Sequence, residues 1–293
     1  VLTVSTDAGR HWGISSSPAP ATTNFSDVAC SEQSCLALGT TGSKLLLLGS
    51  SFAKAFEITT TPVTSGNPQA VACAQRSWCL AFVATPTGVV ASSTNNAGRA
   101  WSQAVGLPSG VGEVLSASCS STATCITAGI DPNGNPQVLL KARNSGGWQL
   151  ATLPAGTTSV LSASCTTDLR CFLVVHNPAS PTNQILASTH ASTTFQVAAS
   201  FAILVHNPTA ISCAATTCVV AGSDNLGAGA LSSRTGSAPE RSIAVHYVPT
   251  AFLGVSCASP AQCVGATTSS LVRITPSVQA ITTKPARRAS LGR

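Results

Sequence analysis

The chain has 293 residues, of which 8% are charged and 44% hydrophobic. That balance fits many short strands joined by turns; it excludes a helical protein, which needs more Glu, Lys, Leu and Arg, and a disordered one, because Val, Ile and Leu recur at strand-like spacing. The net charge of +6 does not mark a nucleic-acid binder: Lys284, Arg287, Arg288 and Arg293 lie in the last ten positions, leaving 11 basic and 9 acidic groups on the rest and no basic stripe on the body.

No run reaches the ~18 apolar residues that span a bilayer. Runs such as Leu45–Leu48 and Phe201–Val205 have the length of strands. The chain has no leader-like segment and no Met, so it is expected to be a trimmed piece of a longer precursor.

Taken in chain order, residues 1–16 read as a hairpin of two outer strands whose turn carries Ser5, Asp7, Gly9 and Trp12 in the pattern S-x-D-x-G-x-x-W. Thr94, Asn96, Gly98 and Trp101 repeat it with Asn for Asp. Ser188, His190, Ser192 and Phe195 keep its register, and Asn144-Ser-Gly-Gly-Trp148 is a shortened copy. In such a turn Asp or Asn bonds nearby backbone N–H groups, Gly accepts a positive φ and Trp packs between neighbouring sheets. Asp7 is therefore read as structural, not catalytic.

Twelve cysteines follow as six close pairs: Cys30/Cys35, Cys73/Cys79, Cys119/Cys125, Cys165/Cys171, Cys213/Cys218 and Cys257/Cys263. Their first members are 43, 46, 46, 48 and 44 residues apart, the size of a four-stranded propeller blade. The flanks repeat as well, as in Ser116-Ala-Ser-Cys119 and Ser162-Ala-Ser-Cys165. Each unit reads as strand a, a short turn and strand b, with the two cysteines facing each other across the hairpin as a disulfide. Zinc sites favour C-x2-C spacing with further ligands nearby, so no metal is expected; buried free thiols are the other alternative. Disulfides imply an oxidising compartment, hence a secreted or cell-surface setting.

These residues carry a resemblance to the BNR/Asp-box repeat superfamily, whose members include sialidase-like and photosystem II assembly-factor-like propellers. The cysteine hairpin in each unit is similar to that of secreted actinobacterial members. The resemblance covers nearly all of residues 1–283 and implies an all-β β-propeller of four-stranded blades.

Blade repeats are expected near 24–67, 68–113, 114–158, 159–207, 208–250 and 251–283, after the orphan hairpin of strands c and d at 1–16. Residues 284–293 are a basic tail or linker. Six and a half blades fit a seven-bladed ring with an incomplete first blade, its a–b hairpin lying upstream, or a six-bladed ring with an extra hairpin.

Chemistry is sparse. Sialidases of the superfamily use an arginine triad and a tyrosine nucleophile, but Tyr247, the one tyrosine, is expected on an outer strand, and no F/Y-R-I-P-like segment occurs near the start. Other glycosidases need two carboxylates about 5–10 Å apart. Glu32 and Asp168 fall in a–b turns, Asp27 begins a strand a, and Glu57 lies on an outer strand. Glu113 and Glu240 fall in connections the reading does not place, and Asp131 and Asp224 fall in b–c loops of different blades. No nucleophile elbow, P-loop or dinucleotide fingerprint is present.

One local echo stands out. Val175-His176-Asn177-Pro178 recurs as Val205-His206-Asn207-Pro208. The first lies in a b–c loop and the second in the loop from strand d to the next strand a, so both belong to the face that carries Asp131 and Asp224. Imidazole, amide and carboxylate groups together suit a polar ligand such as a sugar; the competing reading is that His-Asn-Pro only ends a strand and starts a turn. Asp131-Pro-Asn-Gly-Asn135 opens like a calcium loop but lacks the closing acid of an EF-hand, and reads as a turn.

The expected function is a non-catalytic extracellular recognition or scaffold domain. It would bind protein or glycan at one face through Asp131, His176, Asn177, His206, Asn207 and Asp224, as a monomer without cofactor, metal, nucleic acid or membrane insertion. A glycoside hydrolase with an unrecognised acid pair and a purely structural module of a larger surface protein are the alternatives.

Overall fold

The computed structural model describes residues 3–4, 11, 13–14, 18–31, 34–51, 56–59, 63, 65–74, 78–108, 110–121, 124–141, 147–168, 170–188, 192–198, 205–235, 241–243, 248–260, 262–268 and 270–274. These residues are all strand, turn and loop. A short hairpin, β1 (Thr3–Val4) and β2 (Gly13–Ile14), comes first. Six antiparallel sheets then follow in sequence, each built as a meander from the inside outward.

Blade 1 comprises β3 (Thr23–Cys30), β4 (Ser34–Thr41), β5 (Lys44–Ser51) and β6 (Glu57–Ile58). Blade 2 comprises β7 (Asn67–Cys73), β8 (Cys79–Thr85), β9 (Gly88–Thr94) and β10 (Val105–Gly106). In blade 3 the strands are β11 (Glu113–Ser121), β12 (Thr124–Ile130), β13 (Pro136–Lys141) and β14 (Gln149–Leu150). Blade 4 holds β15 (Ser159–Cys165), β16 (Cys171–His176), β17 (Gln184–Ala187) and β18 (Gln196–Val197). Blade 5 has β19 (Asn207–Ala214), β20 (Thr217–Ser223), β21 (Gly229–Thr235) and β22 (Arg241–Ser242). The described part of blade 6 is β23 (Gly254–Ser259), β24 (Gln262–Ala266) and β25 (Leu271–Ile274). The molecule is a six-bladed β-propeller.

All six cysteine pairs are disulfides: Cys30–Cys35, Cys73–Cys79, Cys119–Cys125, Cys165–Cys171, Cys213–Cys218 and Cys257–Cys263. In each blade the two cysteines stand opposite each other in the a–b register, with Cα atoms 4.0–4.1 Å apart. The bridges lie at the a–b turns, at one end of the strands. The start of strand a, the end of strand b and the b–c loop lie at the other. The propeller therefore has a disulfide face and a loop face.

The cysteines on strand b of blades 2 to 6, Cys79, Cys125, Cys171, Cys218 and Cys263, are buried, as is Cys165 on strand a of blade 4. Their place beside a turn gives no reason to expect this. It follows from packing: each strand-b cysteine joins the apolar cluster shared with the preceding blade, Cys125 lying with Phe82, Val114 and Leu139 between blades 2 and 3. Cys125 and its equivalents are thus core residues with no surface to offer a ligand. Cys35 of blade 1 is half-buried.

The core is divided. Five apolar clusters lie between successive blades, such as Leu36, Leu38, Val71 and Val83 between blades 1 and 2, or Leu140, Val160, Leu173 and Leu186 between blades 3 and 4. Strand b is sandwiched on both sides, so it reads as a continuous buried run, as in Thr124–Gly129 and Thr217–Ser223, and not as an alternation. Each blade thus rests on its neighbours in the manner of a repeat array. Aromatic side chains preceding strand d recur at these junctions: Trp101 between blades 1 and 2, Trp148 between 2 and 3, Phe195 between 3 and 4. Trp148 meets Phe82 edge to face, with centroids 5.7 Å apart.

The inner strands are joined by side chains. In blades 1 to 5 strand a carries a bulge, which frees a residue to reach the next blade. Gln69 in one bulge accepts the Val114 N–H at 2.8 Å; Thr209 in another donates to Phe252 O at 2.6 Å. Ser164 accepts the Cys213 N–H at 2.9 Å and Ser212 the Cys257 N–H at 3.0 Å. The bonds to Val114, Cys213 and Cys257 occupy backbone donors that an inner edge strand would otherwise leave open, while that of Thr209 occupies the Phe252 carbonyl just before β23.

Asp27 is the charged member of the series. Its Oδ2 accepts the Val71 N–H of blade 2 and its Oδ1 the Val28 N–H of its own strand, both at 2.8 Å. Burial pushes its carboxyl above the ordinary value, against the two backbone bonds that favour the charge. Val71 and Ile211, at the position two before the cysteine, are 2% and 3% exposed because each packs on the preceding blade; Val28 at the same position in blade 1 is 53% exposed.

Candidate functional site

The loop face carries the six polar residues singled out above. Asp131 and Asp224 build the same turn. Asp131 Oδ1 accepts the N–H groups of Asn133 and Asn135, both at 2.8 Å, and Oδ2 accepts Asn135 Nδ2 at 2.9 Å. Asp224 Oδ1 accepts the N–H groups of Leu226 at 2.8 Å and Ala228 at 3.0 Å. In both turns the Asp N–H returns to the carbonyl four residues on, at 2.8 Å, and the Asp carbonyl accepts from Gly134 or Gly227. Those glycines have φ of +84° and +83°, a backbone that side chains disfavour. The side-chain bond from Asn135, and then its backbone bond, hold the Asp131 carboxyl below the usual carboxylate range.

The two His-Asn-Pro segments meet through a residue that the sequence did not flag. Asn183, at the end of the b–c loop of blade 4, lies 3.1 Å through Oδ1 from His176 Nδ1 and donates through Nδ2 to Pro208 O at 2.8 Å. Its backbone N–H reaches Asn207 Oδ1 at 3.4 Å. One amide therefore ties the end of β16 to the start of β19 across the junction of blades 4 and 5. His176 is further anchored by its carbonyl, which accepts the Thr158 N–H at 3.0 Å.

Asn177 spends its side chain on its own turn, where Oδ1 accepts the Ala179 N–H at 3.0 Å. His206 is exposed in a bend just before β19. Asn207 stands opposite Ser223, the residue before Asp224. The structure thus joins His176, Asn183 and Asn207, puts His206 and Asp224 one residue from Asn207 and from its strand partner, and leaves Asp131 in its own turn on blade 3. The result is a set of imidazole and amide groups, His176, His206 and Asn207 exposed and Asn183 and the Asp224 carboxylate half-buried, near one inter-blade junction. It can exchange hydrogen bonds with a polar ligand.

The second c–d turn is built by the motif residues. Thr94 Oγ1 accepts the Gly98 N–H at 3.0 Å, Asn96 Oδ1 accepts the Ala100 N–H at 2.8 Å, and Gly98 has φ +87°. Ser5, Asp7, Gly9, Trp12 and His190 lie outside the described residues, as do Glu32, Glu240 and Tyr247. Glu113 opens β11, Glu57 lies on β6, and Asp168 lies in the a–b turn of blade 4. Among the described residues no three His, Cys, Asp or Glu side chains gather as a metal site, and no helix is long and apolar enough to cross a membrane.

No family model matches the chain, and no curated protein matches it. Solved structures do. YCF48 from Cyanidioschyzon merolae is similar with a TM-score of 0.60 and 15% identity over 88% of this chain and 84% of that one. A YCF48 bound to D1 peptide gives a TM-score of 0.63 at 15% identity, covering 93% and 84%. The BP39L lectin from Burkholderia pseudomallei gives 0.58 at 13% identity, covering 90% and 88%. At such identities the likeness is one of fold, and the β-propeller is what this chain shares with them.

Proposed function

We propose that this is a non-catalytic recognition or scaffold domain working outside the cytoplasm, and that the loop face at the junction of blades 4 and 5 receives a protein or a glycan. The observation that carries the reading is the linked set His176, Asn183 and Asn207, polar groups held in place by the fold with His206 and Asp224 beside them. Similar propellers include one bound to a peptide and one that is a lectin. Six disulfides fit an oxidising setting.

The carboxylates favour binding over hydrolysis. A general acid needs a raised pKa. At the loop face Asp131 is held below its usual range by the Asn135 side-chain and backbone bonds; the carboxyl that burial raises, Asp27, is on the inner strand β3 with both oxygens on backbone amides.

Glycan and peptide arrays probed with the wild type and with a His176→Ala/Asn207→Ala variant test the reading. The wild type should bind members of one array, and the variant should lose at least about tenfold in affinity, as removal of two hydrogen-bonding groups implies. Equal binding by the variant, silence on both arrays, or turnover of aryl glycosides by the wild type would overturn it.

A further inference from the structure

Asn183 fixes the hydrogen-bonding sense of the loop-face set. Its Nδ2 donates to Pro208 O at 2.8 Å, and a carbonyl only accepts. The amide therefore has one orientation, with Oδ1 turned to His176 Nδ1, 3.1 Å away. An amide oxygen only accepts as well, so Nδ1 carries the proton. In a neutral imidazole one ring nitrogen donates and the other accepts, and the bond made by one sets the role of the other. The His176 ring is exposed, and its Nε2 is left as an acceptor for an incoming group.

The neighbouring groups are oriented by the same reasoning. Asn207 Oδ1 accepts the Asn183 N–H at 3.4 Å, which leaves its Nδ2 donors to a ligand. Asp224 Oδ1 accepts two backbone N–H groups, which leaves Oδ2 as an acceptor. The segments 177–183, 205–207 and 224–228 contain neither Lys nor Arg, and Asp224 is their one acid. An anionic ligand would meet a carboxylate and an imidazole lone pair with no cation to hold it. An ammonium only donates, and would leave Asn207 unmatched. A hydroxyl both donates and accepts at one oxygen, so the adjoining hydroxyls of a sugar ring match both senses.

We propose that Asn183 is a positioning residue that holds His176 as the Nδ1–H tautomer, and that the set at the junction of blades 4 and 5 consequently takes the hydroxyls of a neutral sugar unit. This rests on the loop-face reading above and narrows its ligand to a glycan without acid groups. The tautomer is measured with no ligand present, so its failure is separable from a failure of that reading.

Long-range proton–nitrogen NMR correlations of the histidine rings in the intact chain, recorded in mildly alkaline solution where imidazoles are neutral, read the tautomer. His176 should carry its proton on Nδ1 in the wild type. Asn183→Ala should return the ring to a mixture of tautomers, while Asn183→Asp, which keeps an acceptor facing Nδ1, should retain Nδ1–H. Titration with the methyl glycosides of mannose, galactose and N-acetylglucosamine should show at least one that binds with a Kd on the order of 1 mM, as a ligand of this size permits. Glucuronate, N-acetylneuraminate and Nα-acetyl-lysinamide should bind at least about tenfold more weakly. Asn183→Ala should weaken the bound glycoside about threefold or more. A proton on Nε2 in the wild type, a tautomer unmoved by Asn183→Ala, or preference for an acid or for the lysine derivative would overturn the proposal; the last would reassign the set to basic peptides. The expected tautomer with no binding of any probe would overturn the sugar assignment together with the loop-face reading.

Discussion

Reduction of the six disulfides unfolds the protein at temperatures where the oxidised form is stable. Each bridge closes a loop of six or seven residues, for which chain entropy gives about 2 kcal/mol. Six together reach the order of 10 kcal/mol, the size of the whole stability of an ordinary domain. The apolar clusters between blades are small and rest on Ala, Val and Leu, with few aromatics, so packing leaves little reserve. Denaturant melts followed by circular dichroism, with and without reductant, measure the difference. A midpoint unchanged by full reduction would mean that the bridges are incidental to the fold.

Phe252→Ala should cost about 3–5 kcal/mol, the range for emptying a buried aromatic site. Phe252 has no exposed surface and sits between blades 5 and 6 with Val219, Leu231, Ile243 and Ile274. Two glycines make its space: a Cβ on Gly265 would fall 2.6 Å from its ring, and one on Gly229 2.9 Å. Its N–H bonds Gly222 O at 3.1 Å and its carbonyl accepts Thr209 at 2.6 Å, so the backbone there cannot slide inward to fill the gap. Equilibrium unfolding in urea reads the cost. A loss under about 1 kcal/mol would mean that the ring is not packed as described.

Much of the fold was legible because it is periodic. One cysteine pair per unit of about 45 residues set the blade size, and the register of each a–b hairpin followed from the two cysteines needing to face each other. The Thr94–Trp101 turn was legible because its hydrogen bonds are local.

What escaped was whatever depends on blade-to-blade contact. Cys125 was legible as half of a bridge, but its burial against blade 2 was not, because Phe82 and Ala70 reach it only across the seam. Asp27 looked like the start of a strand; its bond to Val71, 44 residues away, exists only once blades 1 and 2 pack. Asn183 sits in an ordinary Ser-Pro-Thr-Asn loop, and its role needs the start of β19 beside it. Asp131 and Asp224 were candidate ligand groups of the b–c loops, and the Asp131 loop also read as a turn; each carboxylate does close its own turn.

The organisation of the whole molecule rests on cysteines bridged within each inner hairpin. Mass spectrometry of proteolytic fragments from the unreduced protein tests it most directly. The result should be six links, Cys30–Cys35 through Cys257–Cys263, each joining neighbours in its own hairpin, with every thiol accounted for. A thiol that reacts with alkylating reagent in the native protein, or a link joining cysteines of two blades, would contradict it.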